Sequence, residues 1–576
     1  MSGGHLPNWR PTFGASNWGG VGRERLAALT RRSREVLLIA GVTGAVVGLV
    51  VAGFEELVGP LMLDAVRELP LWAQMAVPAA GLGLSTLCLR INGRHTASTT
   101  DEYIRSFHDQ TGRMDLRAVP ARLAASIATL GSGAPLGYEG PSIYAGAAIG
   151  SAVQRRLNRH FTIEESKLLL VAGAAAGVSA IFKAPVTGLV FALEVPYQQD
   201  LARRMLLPAA MSAAASYVAF AAIAGTEPIL PVAGQPPFNL VDLGGAAVIG
   251  LAAGVLARAF VRVITVAKGL SSCGHPAVRV LIAGGVLALT VLGAEALGDA
   301  PLALGPGYNA LRWAMDPSQG LFAIVALGTL RVVGTGAALA GGGTGGLFIP
   351  LVIQGALVGR VLGGIFETGN LTLFPVVGMA AFLGAGYRVP LAAVVFVAEF
   401  TGRPGFVVPG LIAAVVAQLV MGRASVSPYQ VSGRVGHLER RLALPLRSVL
   451  SRDVRTVTPG STVEEVFWIH LVGARQQAAV VVDDERHYLG LIRVDDLATV
   501  DRSAWSTTLV DDLMLTDVPV ASPTWSLGDA IRSMEQAGVD RLAVCDAGGS
   551  FIGVVTAADL VQLDEIIDRS DPGERA

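Results

Sequence analysis

The stretch LGSGAPLGYEGPSIYAGAAIG, from Leu130 to Gly150, places one carboxylate, Glu139, in a glycine-rich run that otherwise suits lipid. An ionisable side chain at membrane depth costs on the order of 3 kcal/mol even on insertion scales, so it is kept there for a function. The other reading is a helix-capping carboxylate with structural value alone. The surrounding chain decides which setting applies.

The 576 residues are 52% hydrophobic and only 15% charged, with a mean hydropathy of +0.54. That is too apolar for an ordinary soluble chain of this length. Several runs reach the roughly 20 apolar residues that a bilayer requires. Three of them are Val36 to Val58, Leu240 to Ile264 and Gly405 to Gly422. The 70 glycines suit helices that pack closely in lipid. The chain therefore reads as a polytopic α-helical membrane protein.

A net charge of −1 gives no global field for nucleic acid. Charge is concentrated locally instead: Arg23, Arg25, Arg31, Arg32 and Arg34 precede the first span and predict a cytoplasmic N-terminus. Residues 1–22 lack the apolar core and cleavage site of a signal peptide. Cys88, Cys273 and Cys545 are too scattered to suggest a metal site or a disulfide framework.

Working outward, the opening stretch has a second copy. PSIYAGAAIG from Pro141 matches PLVIQGALVG from Pro350 at Pro, Gly and Gly, an offset of 209 residues (350 − 141). APVTGLVFALE and VPLAAVVFVAE then align Pro185 with Pro390, Phe191 with Phe396 and Glu194 with Glu399, an offset of 205 (390 − 185). Two blocks in the same order at nearly the same offset indicate a duplicated membrane domain. Gly/Pro-interrupted segments in corresponding places point to a transporter-like fold with its substrate site between the halves.

In both halves a Gly/Pro cluster opens a helix: GYEGP at Gly137 to Pro141 and GLFIP at Gly346 to Pro350. Pro is tolerated near a helix start, where its missing N–H is no loss. Two helix N-termini meeting at one point would present free N–H groups and positive dipole ends, an anion site without a cationic side chain. Neither cluster contains Lys or Arg, which fits the weak, reversible binding that conduction needs. Glu139 is then an internal anion that competes for the site when ionised and gives way when protonated.

These segments resemble the CLC family of chloride channels and chloride/proton antiporters. LGSGAPLGYEGP is similar to the family's G-(K/R)-E-G-P segment and GLFIP to its G-x-F-x-P segment, within a match over Val36 to Val431. The resemblance implies inverted repeats, a homodimer with one anion pathway per subunit, and Glu139 as the gating glutamate. It implies an anion held at Gly140 and at the backbone N–H groups of Phe348 and Ile349.

The chain departs from the family pattern in four places. Tyr138 stands where Arg or Lys is usual, which lowers the local positive potential. The family's G-S-G-I-P segment is replaced by TASTTDEY, which makes Ser98 the expected coordinating hydroxyl. In ASVSPYQV the family's tyrosine falls on Ser427 in one alignment and on Tyr429 in another. Val195 follows Glu194 where antiporters typically carry a proton-relay glutamate, and Val cannot carry a proton. Lys183, Arg388, Glu194 and Glu399 recur in both halves, which favours structural pairing over transport chemistry.

The composition changes near Gly433, after which charges and short β-branched runs dominate. GLIRVDDL from Gly490 and GVVTAADL from Gly553 repeat at an offset of 63 (553 − 490). Each unit reads as strand, helix, strand, strand, helix. The pair resembles tandem cystathionine-β-synthase (CBS) domains, whose G-h-h-(T/S)-x-x-D motif is kept as Gly553, Thr556 and Asp559. That implies an adenine nucleotide with Asp559 on the ribose and Thr556 at a phosphate. In the first unit Arg493 replaces Thr while Asp496 remains.

The expected organisation is an N-terminal segment at 1–35, a membrane domain at 36–431, a linker at 432–442, CBS units at 443–503 and 507–568, and a tail at 569–576. The expected function is transport of chloride or a similar anion through a pore gated by Glu139. A proton-coupled antiporter with an unidentified relay is the alternative. A CBS-regulated divalent cation channel would need clustered acidic ligands, which the spans lack. No nucleophile–base arrangement suggests an enzyme.

Overall fold

The computed structural model describes residues 18–91, 96–109, 113–157, 167–230, 238–298, 301–365, 372–433, 444–452, 454–473 and 476–559, with side chains from residue 34 onward. The side chains of Arg23, Arg25, Arg31 and Arg32, most of the expected linker and the tail at 569–576 lie outside the described residues. Two compact units divide after Gly433.

The first half of the first unit runs through α1 (Trp18–Glu56), α2 (Leu71–Cys88), α3 (Thr100–His108), α4 (Val119–Gly131), α5 (Glu139–Arg156), α6 (Leu168–Phe182), α7 (Pro185–Glu194) and α8 (Leu206–Ala224). The second half runs through α9 (Leu240–Leu270), α10 (Pro276–Glu295), α11 (Tyr308–Ala314), α12 (Leu321–Ala340), α13 (Phe348–Ile365), α14 (Leu373–Tyr387), α15 (Pro390–Thr401) and α16 (Val407–Met421). Among the described residues, eight helical stretches are long and apolar enough to cross a membrane, and α6, α7, α14 and α15 are shorter apolar helices. At about 1.5 Å per residue the ten residues of α7 cover roughly half of a 30 Å hydrocarbon layer. Such broken segments put helix ends inside the protein, where their backbone groups need partners.

Sequence equivalence becomes structural equivalence around these breaks. A Cβ on Gly146 would overlap the Gly173 carbonyl, and one on Gly173 would overlap Gly146. Gly355 and Gly378 stand in the same mutual contact in the second half. Both α6 and α14 end on a cationic residue in the left-handed region, Lys183 at φ 51° and Arg388 at φ 58°. There the chain reverses, with Ala184 N–H bonded to Ser179 O and Val389 N–H to Gly384 O, both at 3.0 Å. A proline then opens α7 or α15.

The starts of α7 and α15 are capped by each other's half. Glu194 accepts from the N–H groups of Leu391 (3.2 Å) and Ala392 (2.8 Å) at the start of α15. Glu399 accepts from Val186 (3.0 Å) and Thr187 (2.7 Å) at the start of α7, and from the Thr187 hydroxyl at 2.6 Å. Each carboxylate satisfies orphan donors at a positive dipole end. These recurrent acids are helix caps, and their partners are backbone amides and the Thr187 hydroxyl rather than Lys183 or Arg388.

The second unit is α+β. β1 (Thr456–Val457) pairs parallel with β2 (Ala478–Val482), which pairs antiparallel with β3 (Tyr488–Arg493). β4 (Arg541–Cys545) pairs antiparallel with β5 (Phe551–Thr556). α17 (Leu527–Ala537) opens with a reciprocal Ser526–Asp529 capping box. Equivalent positions are exchanged between the repeats: Ser451 bridges Val554 while Leu515 bridges Leu491, and Pro445 bridges Ser526 while Leu509 bridges Thr462. Arg541 on β4 donates to the carbonyl of Ala478, its counterpart on β2, at 2.8 Å. The repeats therefore form one interlocked pair.

Candidate functional site

The starts of α5 and α13 are joined directly. Gly137 and Gly346 exchange both backbone hydrogen bonds, at 2.9 and 2.8 Å, in an antiparallel bridge. They are equivalent glycines of the two halves, so the bridge defines a local two-fold axis between the two helix starts. Glu139 and Phe348 follow each glycine by two residues.

Glu139 is 1% exposed. Its Oε1 accepts from the Phe348 N–H at 2.6 Å across 209 residues of chain. The N–H groups of Ile349 and of Glu139 itself also face the carboxylate. Oε2 has no partner among the described residues. A Cβ on Gly137 or Gly346 would overlap the carboxyl group, so glycine at both positions admits it to the helix starts. A full negative charge can thus be held by backbone amides and two dipole ends.

Gly140 packs against Gly346 and against the Thr99 hydroxyl. Thr99 Oγ1 lies 3.5 Å from Gly345 O, which puts the start of α3 beside the other two helix starts. Ser98 is half-buried, and its Oγ has no partner among the described residues. It is Thr99, which sequence reasoning passed over, that touches Gly140. Phe348 and Ile349 are fully buried. The Phe348 ring sits among Phe182, Phe191 and Phe396, with ring centroids 4.5, 5.3 and 4.8 Å away.

Of the alternatives in ASVSPYQV, Ser427 is 2% exposed with an unpartnered Oγ, whereas Tyr429 is 44% exposed. Another tyrosine is buried close by. Tyr387 ends α14, packs edge-on against Phe191 at 5.6 Å, and its carbonyl accepts from Gln430 at 2.7 Å. The available sequence signal was a phenol at the end of LFPVVGMAAFLGAGY, which has no other polar side chain. Tyr138 is buried and meets Phe54 edge-on at 6.3 Å. Val195 is fully buried, and its carbonyl accepts from Gln430 at 2.8 Å.

In the second unit Asp559 closes a turn, with Oδ2 accepting from the Thr556 N–H (2.9 Å) and hydroxyl (2.8 Å) and Oδ1 accepting from Ser451 at 3.3 Å. Asp496 has a different neighbour. Arg493 reaches it through Nε at 3.1 Å, Nη2 at 2.8 Å and its own N–H at 3.0 Å. Burial pushes this carboxyl up, but the Arg493 guanidinium and N–H outweigh it and hold Asp496 below the usual range. The two motifs thus differ in charge: Asp559 is bound by neutral donors, and Asp496 is neutralised by its own arginine.

A duplicated helical membrane domain with paired helix starts around a buried carboxylate defines an anion channel or transporter rather than an enzyme. The voltage gated chloride channel profile matches residues 80–422, more than half of the chain, and the CBS domain profile matches 446–502 and 510–565. The chain belongs to the voltage gated chloride channel (CLC) family, and it carries a CBS pair. A "chloride channel protein ClcB-like" of Ralstonia nicotianae is 29% identical over 66% of this chain and 92% of its own. The "H(+)/Cl(-) exchange transporter ClcA" of Citrobacter koseri is 27% identical over 71% of this chain and 91% of its own. The crystal structure of a slow cyanobacterial Cl−/H+ antiporter shares the fold with a TM-score of 0.60 at 22% identity, over 67% of this chain and 94% of that one.

Proposed function

We propose that this chain moves chloride or a similar small anion across a membrane, with Glu139 as a gate that competes with the anion for the starts of α5 and α13. The observation that carries this reading is the 2.6 Å bond from the Phe348 N–H to the Glu139 carboxylate. A carboxylate seated on those amides stands in for a permeating anion, and a protonated carboxyl has no net charge to hold it there. Gly140, Phe348, Ile349, Ser98 and Ser427 are the proposed anion contacts. The exposure of Tyr429 argues against a role for its ring.

Coupling to protons is proposed to be weak. Val195 cannot relay a proton, and the neighbouring Glu194 carboxylate is committed to the start of α15. The exchanger reading draws its support from relatives such as the Citrobacter koseri protein. Reconstitution into liposomes with simultaneous chloride and proton recording separates the two. Chloride flux with little stoichiometric proton movement supports the gated-pore reading, and a fixed exchange ratio replaces it with the antiporter.

The proposed working unit is a homodimer with one anion route per subunit and both termini in the cytoplasm. The CBS pair is proposed to regulate the pore, with Thr556 and Asp559 holding an adenine nucleotide. Asp496 is the weaker nucleotide candidate, because Arg493 already occupies its carboxylate.

A further inference from the structure

A groove of about 750 Å³ runs between α2 and α10, two of the helices long and apolar enough to cross a membrane. Small residues line both walls: Ala76, Ala79 and Gly83 from α2, and Gly284, Gly285 and Ala288 from α10. A Cβ on Gly285 would meet nothing within 4 Å, and one on Gly83 only the Val280 side chain at 3.9 Å. The groove is therefore open space that larger side chains could fill. Leu87 and Leu281 also line it and are 60% and 76% exposed. Its open side thus faces the surroundings of two membrane helices, which are lipid.

One end of the groove is cationic. Arg90, just past the end of α2, and His275, which caps the start of α10, both line it. The His275 Nδ1 accepts from the Ala277 N–H at 3.3 Å, which leaves Nε2 as a donor. Arg279 follows one turn later. Its Nη1 donates to the Cys273 carbonyl at 3.4 Å, and its Nε is buried with no partner among the described residues. Its Nη2 and the hydroxyl of Thr86, a lining residue, both lie within 4.0 Å of where a Cβ on Gly342 would stand. No acidic side chain lines the groove, and neither arginine has an ion pair among the described residues. The positive dipole end of the 20-residue α10 adds to the same field.

We propose that this groove holds an anionic phospholipid, with an acyl chain between α2 and α10 and the phosphate against Arg90, Arg279 and His275. Charge complementarity selects this occupant. An acyl chain fits the apolar walls, and a negative headgroup answers a cationic end that lacks a counter-ion. Basic pockets between membrane helices at the cytoplasmic face hold such headgroups. On the topology proposed above, α1 crosses outward and α2 returns, which puts Arg90 at that face. The groove wall also touches the segment that leads into α13. Ser85 on α2 donates to the Gly342 carbonyl at 3.1 Å, four residues before Gly346. A bound lipid thereby steadies the approach to the paired helix starts.

The test uses the full-length protein in detergent with phosphatidylglycerol, phosphatidylcholine or glycerol 3-phosphate. Native mass spectrometry reads the lipid retained, and thermal melts read the stabilisation that binding to the native state confers. Phosphatidylglycerol is expected to be retained and to raise the melting temperature, and the other two are not. Arg90→Gln is expected to weaken phosphatidylglycerol about fivefold, the contribution of one basic side chain near an anionic headgroup. Gly285→Leu fills the groove and is expected to abolish retention while melting like the parent without lipid. If Gly285→Leu aggregates, the exposed Arg90→Gln decides. Equal retention of the two lipids would overturn the site, as would parent-like retention of phosphatidylglycerol in both variants. Stabilisation by glycerol 3-phosphate equal to that by phosphatidylglycerol would leave a phosphate contact and remove the acyl chain from the groove. Loss of subunit association in Gly285→Leu, with lipid retention unchanged, would place a second copy of the chain there instead.

Discussion

Glu139 combines almost complete burial with a direct bond to a helix start from the other half of the domain. On the proposed gate, its charge state would control whether those amides are occupied. As pH falls, the carboxyl takes up a proton, loses its net charge and releases the site, so anion flux should rise on acidification. Glu139→Gln cannot ionise. Its flux is expected to be high and nearly flat over the same pH range, measured as chloride release from liposomes. A variant that retains the parent's pH profile would remove Glu139 from the gate. Val195 carries the second prediction at this scale. Chloride gradients should drive little uphill proton movement, and pH recording inside the vesicles reads the ratio directly.

The decisive elements are short helices whose ends lie inside the protein. Glu194 and Glu399 cap α15 and α7 reciprocally, so each half of the duplication completes a helix start of the other. A charged acceptor bonded to buried N–H groups contributes about 1.5–3 kcal/mol. Glu194→Gln and Glu399→Gln are each expected to lower the denaturation temperature while leaving the pH profile of flux intact. Normal melting with an altered pH profile in Glu194→Gln would instead make that carboxyl a transport group. The glycine pairs belong to the same scale. Gly146 with Gly173, and Gly355 with Gly378, let α5 and α13 lie against the next helix at backbone contact. That contact fixes where the two N-termini point.

At the scale of the molecule, an anion-transport domain is joined in sequence to a CBS pair. A ligand on the pair regulates the pore only through a difference in affinity between gating states. ATP or AMP is expected to bind the full-length protein in calorimetry, and Asp559→Ala is expected to weaken it by about tenfold as the charged acceptor is lost. No heat with any adenine nucleotide would leave the pair as a packing module. Asp496 makes a separate pH prediction. Its pKa is lowered in the fold, so its contribution to stability is present above the unfolded carboxylate range and is lost as pH falls through the folded value. Arg493→Ala should reduce that acid sensitivity, measured by thermal melts of the whole protein from pH 7 to pH 3.

By itself, the sequence determined the class of fold and the duplication, because hydropathy and Gly/Pro punctuation act locally, and its motifs carried the resemblance to the CLC family. Twenty apolar residues span a bilayer wherever they fall, and GYEGP or GLFIP opens a helix from its own backbone preferences. The same local rules singled out Glu139 and Phe348 as helix-start residues. Only the tertiary structure decided which groups face them. The bond joining Glu139 to Phe348 crosses 209 residues, and the caps at Leu391 and Val186 cross between the two halves. TASTTDEY offers several hydroxyls in a row, and motif position favoured Ser98, whereas packing placed the Thr99 hydroxyl against Gly140. Spacing left Ser427 and Tyr429 open, and the fold buries Ser427 while exposing Tyr429. The burial of Tyr387 was illegible for the same reason: it sits at the end of an apolar helix, and Gln430 is brought to its carbonyl only by the folded chain.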